Sequence, residues 1–200
     1  MVSAGVHRLV VVGVAVCWGA VAAVWIAGAV YNVSRGPRAR TRAAAVTRLP
    51  ILIVVLAAWL LFRLVPGPDW HSLTVETLWV RVPGLAILVG STAFTLWARA
   101  ALGTMWSGSP TVKAGHRLRT DGPYAVTRHP IYTGLLGMLL GTALLVGLGH
   151  WLAIFPLAVL FAELRIRTEE QLMLETFPEA YPSYRRRVPQ LVPGLRRVRA

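Results

Sequence analysis

Apolar residues gather into five runs along the chain, at residues 9–33, 49–65, 82–102, 131–149 and 151–164. A helix needs about 20 consecutive apolar residues to cross the hydrocarbon of a bilayer. The first three runs meet or approach that length and predict membrane spans. The first is longer than the apolar region of a signal peptide and has no basic stretch before it beyond Arg8, so it is read as a span. The last two are short, are joined only by Gly149-His150, and predict a tight helical hairpin that tilts or does not fully cross. Gly134, Gly137 and Gly141 recur through the fourth run at a spacing that lets a neighbouring helix approach closely, here as packing within the hairpin.

Polar residues cluster at the two ends of that hairpin. Gly122-Pro123-Tyr124 and Arg128-His129-Pro130-Ile131-Tyr132 precede it, and Arg165-Ile166-Arg167-Thr168-Glu169-Glu170 follows it. Two charged groups at the ends of an apolar hairpin can meet in space. Pro130 suits the first turn of a helix, where its fixed φ and missing donor cost nothing, which puts His129 just before the helix and Tyr132 one turn into it. Arg165 and Glu169 are four residues apart and share a helix face, whereas Glu170 is turned about 100° away. An ion pair on one face is the plain reading. Arg165 directly follows an apolar run, however, and ionisable groups at membrane depth point to function.

Composition agrees with the pattern. Hydrophobic residues make up 56% and charged residues 14%, with a mean hydropathy of +0.58. Soluble domains run nearer 45–50% apolar and a quarter charged. The class is therefore all-α integral membrane, with about five transmembrane helices. The net charge of +13 marks loops rather than a nucleic-acid surface. Eighteen of the 21 basic residues fall on one side of an alternating five-span arrangement, and Arg8, Arg63 and Arg81 on the other. The positive-inside rule then places the N-terminus outside and the C-terminus inside. Part of the charge also attracts anionic headgroups. Membrane lipids are thus expected partners, and nucleic acid is not.

Cys17 is the sole cysteine, so neither an intrachain disulfide nor a multi-cysteine metal site is possible. His116 and His129 lie 13 residues apart with no ligand spacing for zinc. Dinucleotide and phosphate-loop motifs are absent, so a nucleotide-like cofactor would bind in a non-Rossmann way. Ser107 and Ser109 sit in no nucleophile elbow.

Over residues 107–193 the chain resembles the isoprenylcysteine carboxyl methyltransferase family of integral membrane enzymes. The resemblance rests on Gly115-His116-Arg117-Leu118, Asp121-Gly122-Pro123-Tyr124, Arg128-His129-Pro130-Ile131-Tyr132-Thr133-Gly134, Arg165 with Glu169-Glu170, and Phe177-Pro178-Glu179-Ala180-Tyr181 with Tyr184 and Val188-Pro189. It divides the chain into a three-helix membrane region, residues 1–102, and a catalytic region, residues 103–200. The family's cofactor is S-adenosylmethionine. The resemblance implies a cytoplasmic-face pocket formed by the loop before the fourth helix, the hairpin and a C-terminal amphipathic segment. Ser109, His116, Arg117, Leu118, Arg119, Tyr124, His129, Pro130, Ile131, Tyr132, Glu169 and Glu170 would line it on the cofactor side. Arg165 would orient a substrate carboxylate, and Arg165 and Glu169 would be the catalytic pair.

The implied reaction is carboxyl O-methylation of an isoprenylcysteine-like or other lipid carboxylate in a plasma membrane of bacterial type. Phe177-Pro178 and Gln190 depart from the family's usual Phe-Gly and basic residue, which bears on substrate preference. Three other readings stay open: a lipid amine methyltransferase like the phospholipid methyltransferases, an NADPH-dependent sterol-type reductase, and a non-enzymatic membrane protein. The acceptor and the oligomeric state are not fixed by these residues.

Overall fold

A computed structural model describes residues 4–35, 39–42, 75, 77–103, 111–113 and 118–194. Helix α1 covers Ala4–Arg35 and is followed by a short strand β1, Ala39–Arg42. Helix α2 covers Leu78–Leu102, and strand β2 covers Thr111–Lys113. The single turn α3 (Pro123–Val126) leads into α4 (Pro130–Val146), α5 (Trp151–Thr176) and α6 (Ala180–Arg187). Residues 5–31 of α1 and all of α2 are long and apolar enough to cross a membrane, with mean hydropathies of 2.5 and 1.5. The expected second span, residues 49–65, lies outside the described residues.

The third, fourth and fifth runs all appear as helices, with two differences. Residues 147–150 join α4 to α5, a longer link than the two residues expected. The fifth run also does not end at residue 164: α5 continues unbroken through the charged cluster to Thr176. At about 1.5 Å per residue, its last 12 residues carry it roughly 18 Å beyond the apolar run.

Helix α4 packs chiefly against α2, not against its hairpin partner α5. The glycines are the reason. A Cβ on Gly141 would stand 2.6 Å from the Leu88 amide nitrogen and 2.8 Å from the Gly84 carbonyl, and one on Gly84 would stand 2.8 Å from Leu144 Cβ. Gly137 faces Ser91 in the same way, and Gly134 faces Thr95. These pairings run in opposite directions, so the two helices are antiparallel and nearly in backbone contact. The glycine spacing signalled a close helix neighbour correctly but was assigned the wrong one.

Helix α1 lies alongside α2 in the same direction, with Gly13 near Leu85 and Gly28 against Arg99. Val21 joins Leu88, Met138 and Leu145 in the buried cluster, with Cys17 and Trp18 packed on it. The Trp18 indole and the threonine hydroxyls inside this apolar setting find partners. Trp18 Nε1 donates to Thr142 Oγ1 at 3.1 Å, and Thr142 Oγ1 donates to the Met138 carbonyl at 2.8 Å. Thr92 and Thr95 likewise donate to carbonyls four residues back, each at 2.7 Å. In hydrocarbon an unmatched hydroxyl would cost several kcal/mol, so this back-bonding is required.

Strands β1 and β2 pair antiparallel, with Ala39 opposite Lys113, Thr41 opposite Val112 and Arg42 opposite Thr111. This ribbon departs from the all-helical expectation, although every long element obeys it. The ribbon ties the segment after α1 to the segment after α2. The ends of α1 and α2, the start of α4 and the charged half of α5 thus gather at one end of the molecule.

Candidate active site

Gly122 opens the segment that sets the site, with φ 58° and ψ −128°, a backbone state open to glycine and not to residues with a Cβ. Pro123 then starts α3. Thr127 returns to extended backbone and Pro130 starts α4, leaving Arg128 and His129 in a short strip between two helices. Across from the strip, the charged half of α5 presents Glu169 and Glu170 on different faces.

Glu170 is closed in. Its side chain is 10% exposed, and Oε1 accepts from Arg128 Nη2 at 2.8 Å and Arg128 Nε at 2.9 Å. His129 Nε2 stands 3.3 Å from the same oxygen, and Arg185 Nε from α6 stands 3.4 Å from Oε2. Burial by itself would raise the carboxyl. The hydrogen bond from His129 and the charge of Arg128 outweigh it and hold Glu170 down to about 2. An ionised carboxylate only accepts, so His129 Nε2 is the donor in this contact.

Glu169 is more open, at 28% exposure. Tyr132 donates its hydroxyl to Oε1 at 2.7 Å, and Arg165 Nη2 lies 3.9 Å from the same atom. His129 Nδ1 stands 3.7 Å from Oε2, beyond hydrogen-bond reach. His129 therefore sits between the two carboxylates, one fully engaged and one partly available. The rings of His129 and Tyr132 are tilted against each other with centroids 6.1 Å apart.

The tail closes the far side. After α6 it runs back along the strip, where the amides of Arg128 and His129 donate to the carbonyls of Pro189 (2.8 Å) and Gln190 (3.2 Å). Thr133 Oγ1 donates to the Leu191 carbonyl at 2.7 Å. Arg128 Nη1 donates to the carbonyls of Arg185 (3.0 Å) and Val188 (2.7 Å), at the end of α6 where helix carbonyls lack partners. Gln190 Nε2 reaches Glu163 Oε2 at 2.7 Å, and Arg167 Nε reaches Oε1 at 3.2 Å.

Of the residues expected to line the site, the structure brings together Arg165, Glu169, Tyr132, His129 and Glu170. Tyr124 is buried beside them; its carbonyl accepts from the Tyr184 hydroxyl at 2.7 Å. Burial, then Tyr184 and Glu169, push the Tyr124 phenol above its usual range, so it stays protonated. Pro130 is buried and Ile131 half-buried at the helix start, and Leu118 is half-buried upstream. Arg119 is engaged elsewhere: Nε and Nη2 donate to the Ala101 carbonyl at 3.0 and 2.7 Å, capping α2. Ser109, His116 and Arg117 lie outside the described residues.

Glu170 was expected on the cofactor side, yet the groups around it belong to the strip and the tail. Arg128 and Thr133 were read from the sequence as parts of a motif and Arg185 as part of the basic tail, but none of the three was expected among the residues lining the site. The adjacency of Arg128 to His129 was the available signal; the role of Arg185 depends on the fold of the tail.

Fold and site define a class: a small helical protein with membrane-length helices, carrying a charged cluster where several helices end. The model of the isoprenylcysteine carboxyl methyltransferase (ICMT) family matches residues 84–175, and the chain belongs to that family. It is a membrane protein. The match begins inside α2 and ends before the tail, so it includes the α2–α4 pair that the motif resemblance left out.

A protein-S-isoprenylcysteine O-methyltransferase of Schizosaccharomyces pombe is 40% identical over 39% of this chain and 34% of its own length. Methanethiol S-methyltransferase 2 of Bradyrhizobium diazoefficiens is 31% identical over 74% of this chain and 58% of its own. The protein-S-isoprenylcysteine O-methyltransferase of Homo sapiens is 29% identical over 76% and 54%. The chain thus spans from about a third to under two thirds of these relatives. A solved structure of the eukaryotic intramembrane Ras methyltransferase ICMT superposes with a TM-score of 0.54 at 22% identity, covering 72% of this chain and 52% of the other, a likeness of fold.

Proposed function

We propose that the protein is an S-adenosylmethionine-dependent membrane methyltransferase that methylates a carboxylate on a lipophilic substrate. The observation that carries this reading is the placement of Arg165 and Glu169 on one face of α5, just past its apolar run and only partly covered. One cation and one anion at a lipid edge suit two ligands of opposite need.

The donor set fits the cofactor. Glu169, with an oxygen free of short hydrogen bonds and a neighbouring Tyr132, would hold its hydroxyl- or ammonium-bearing part. His129 and Tyr124 would flank it. Glu170 is left out, because both of its oxygens are engaged. Bound there, the cofactor supplies a methyl group activated on a sulfonium. Arg165 would orient the acceptor by a paired contact to its two oxygens. A carboxylate is already ionised at neutral pH and needs no base. What the chain must add is alignment and exclusion of water, which the half-buried cluster and the tail support. The excess of basic residues that the sequence assigns to this side supports a cytoplasmic face.

A thiol acceptor is a second reading, favoured by the methanethiol S-methyltransferase that aligns with 74% of this chain. A thiol of ordinary pKa, about 8.5, needs help to ionise, and His129 beside Glu169 would give it.

Titration of the detergent-solubilised protein with S-adenosylhomocysteine and, separately, with NADPH tests the cofactor. Binding of NADPH alone would sink the proposal. Incubation with methyl-labelled cofactor and native lipid extract tests the acceptor. A volatile label released by base means a methyl ester; a base-stable label means methylation at sulfur or nitrogen.

A further inference from the structure

The tail does more than cover a surface, because one guanidinium bonds both Glu170 of α5 and the carbonyls that end α6. Arg128 bonds Glu170 of α5 through Nε and Nη2, while its Nη1 holds the carbonyls of Arg185 and Val188. Arg185 returns to the other oxygen of Glu170, closing a ring of contacts between α5, the strip before α4 and α6. Residues 188–191 then lie along the strip as a strap, bonded by the Arg128 and His129 amides and by Thr133 Oγ1. His129 belongs to both halves. Its amide holds the strap, its Nε2 meets Glu170, and its Nδ1 faces Glu169.

We infer that Arg128 and Glu170 form a latch that fastens the strap over the first turn of α4 and fixes His129 toward Glu169, so that both are positioning residues for ligand retention. The physical basis is the burial of both charges. The Arg128 side chain is 8% exposed, and a buried cation that loses its anion is strongly destabilised where it stands. Neutralising Glu170 therefore loosens the guanidinium, and with it the two carbonyls and the strap. The role in retention rests on the reading of Glu169 and His129 as the cofactor side of the site.

The test uses the full chain in detergent. Exchange of the Arg128 and His129 amide hydrogens reads strap docking directly, because those amides donate to it. The rate of S-adenosylhomocysteine dissociation reads retention. Glu170→Gln is expected to speed both by about 10-fold or more, the size of a lost charged hydrogen bond. Glu170→Asp, which keeps the charge, falls between. Thr133→Val, which removes only one bond to the strap, moves both in the same direction by less and serves if Glu170→Gln does not fold. Glu169→Gln is expected to weaken binding while leaving the exchange of these amides unchanged.

Unchanged amide exchange in the Glu170→Gln or Thr133→Val protein overturns the latch. Faster exchange with unchanged dissociation overturns its role in retention. Should the native chain not bind S-adenosylhomocysteine, the proposed function falls and the role in retention falls with it, while exchange still decides whether the two residues fasten the strap.

Discussion

Glu169 and Glu170 are adjacent, yet one residue of helical rotation gives them different surroundings. Glu169 faces Tyr132 and Arg165 at a partly exposed edge, and Glu170 faces Arg128 and Arg185 in a closed one. The division predicts separable defects. Arg165→Ala should lower turnover about 100-fold or more, the cost of a misplaced reactant, while cofactor affinity stays within a fewfold. Glu169→Ala should weaken cofactor binding itself by about 10-fold or more. Single-turnover rates and calorimetric titration of the two proteins check this; equal loss of affinity in both would refute the assignment.

Glu170 carries a pH dependence as well. Its carboxyl is held near 2 in the folded chain against an ordinary 4.5, so the stability it contributes is complete above 4.5 and disappears as pH falls toward 2. Protease sensitivity of the tail should accordingly rise between about pH 5 and about pH 3, and Glu170→Gln should show that sensitivity already at neutral pH. Much of this was legible beforehand. The four-residue spacing put Arg165 and Glu169 on one face, and the same helical geometry turned Glu170 away. What opposed Glu170 was not legible, since Arg185 reaches it only once α6 has folded back.

At the level of elements, the α2–α4 contact depends on missing side chains. Gly141→Ala would drive a Cβ against the backbone of Leu88 and Gly84, atoms that move only if a helix moves. Overpacking of this kind costs about 1–3 kcal/mol. Gly90→Ala on the same helix pair meets nothing within 4 Å and should be neutral or slightly stabilising, because alanine is the better helix former. Thermal denaturation of both variants in detergent measures the contrast; similar loss in both would deny the close packing. Runs of apolar residues located the helices well, since the length needed to cross hydrocarbon is a local property. The partner of each helix is not local. The spacing of Gly134, Gly137 and Gly141 says that something approaches closely, but Thr95, Ser91 and Gly84, which lie far earlier in the chain, decide what it is. The β1–β2 ribbon escaped for a related reason: strands of four and three residues hold too few positions to show alternation.

For the molecule as a whole, the arrangement of ends is the strongest structural support for a one-sided site. Helices α1 and α2 run parallel and α4 runs against them, which collects the ends of α1 and α2, the start of α4 and the charged half of α5 at one level. Eighteen of 21 basic residues were assigned to that side from the sequence, and such an excess sets orientation during insertion. The level of Arg128 and Glu170 should therefore face the cytoplasm, and the α4–α5 link the opposite compartment. Cys17 is the only cysteine, so replacing it by alanine leaves a blank background. On that background Glu179→Cys, beside α6, should react with a membrane-impermeant maleimide only after the cells are opened. His150→Cys, in the link, should react in intact cells. The reverse labelling would put the site outside, where the positive-inside argument, and with it access to a cytoplasmic methyl donor, would fail together.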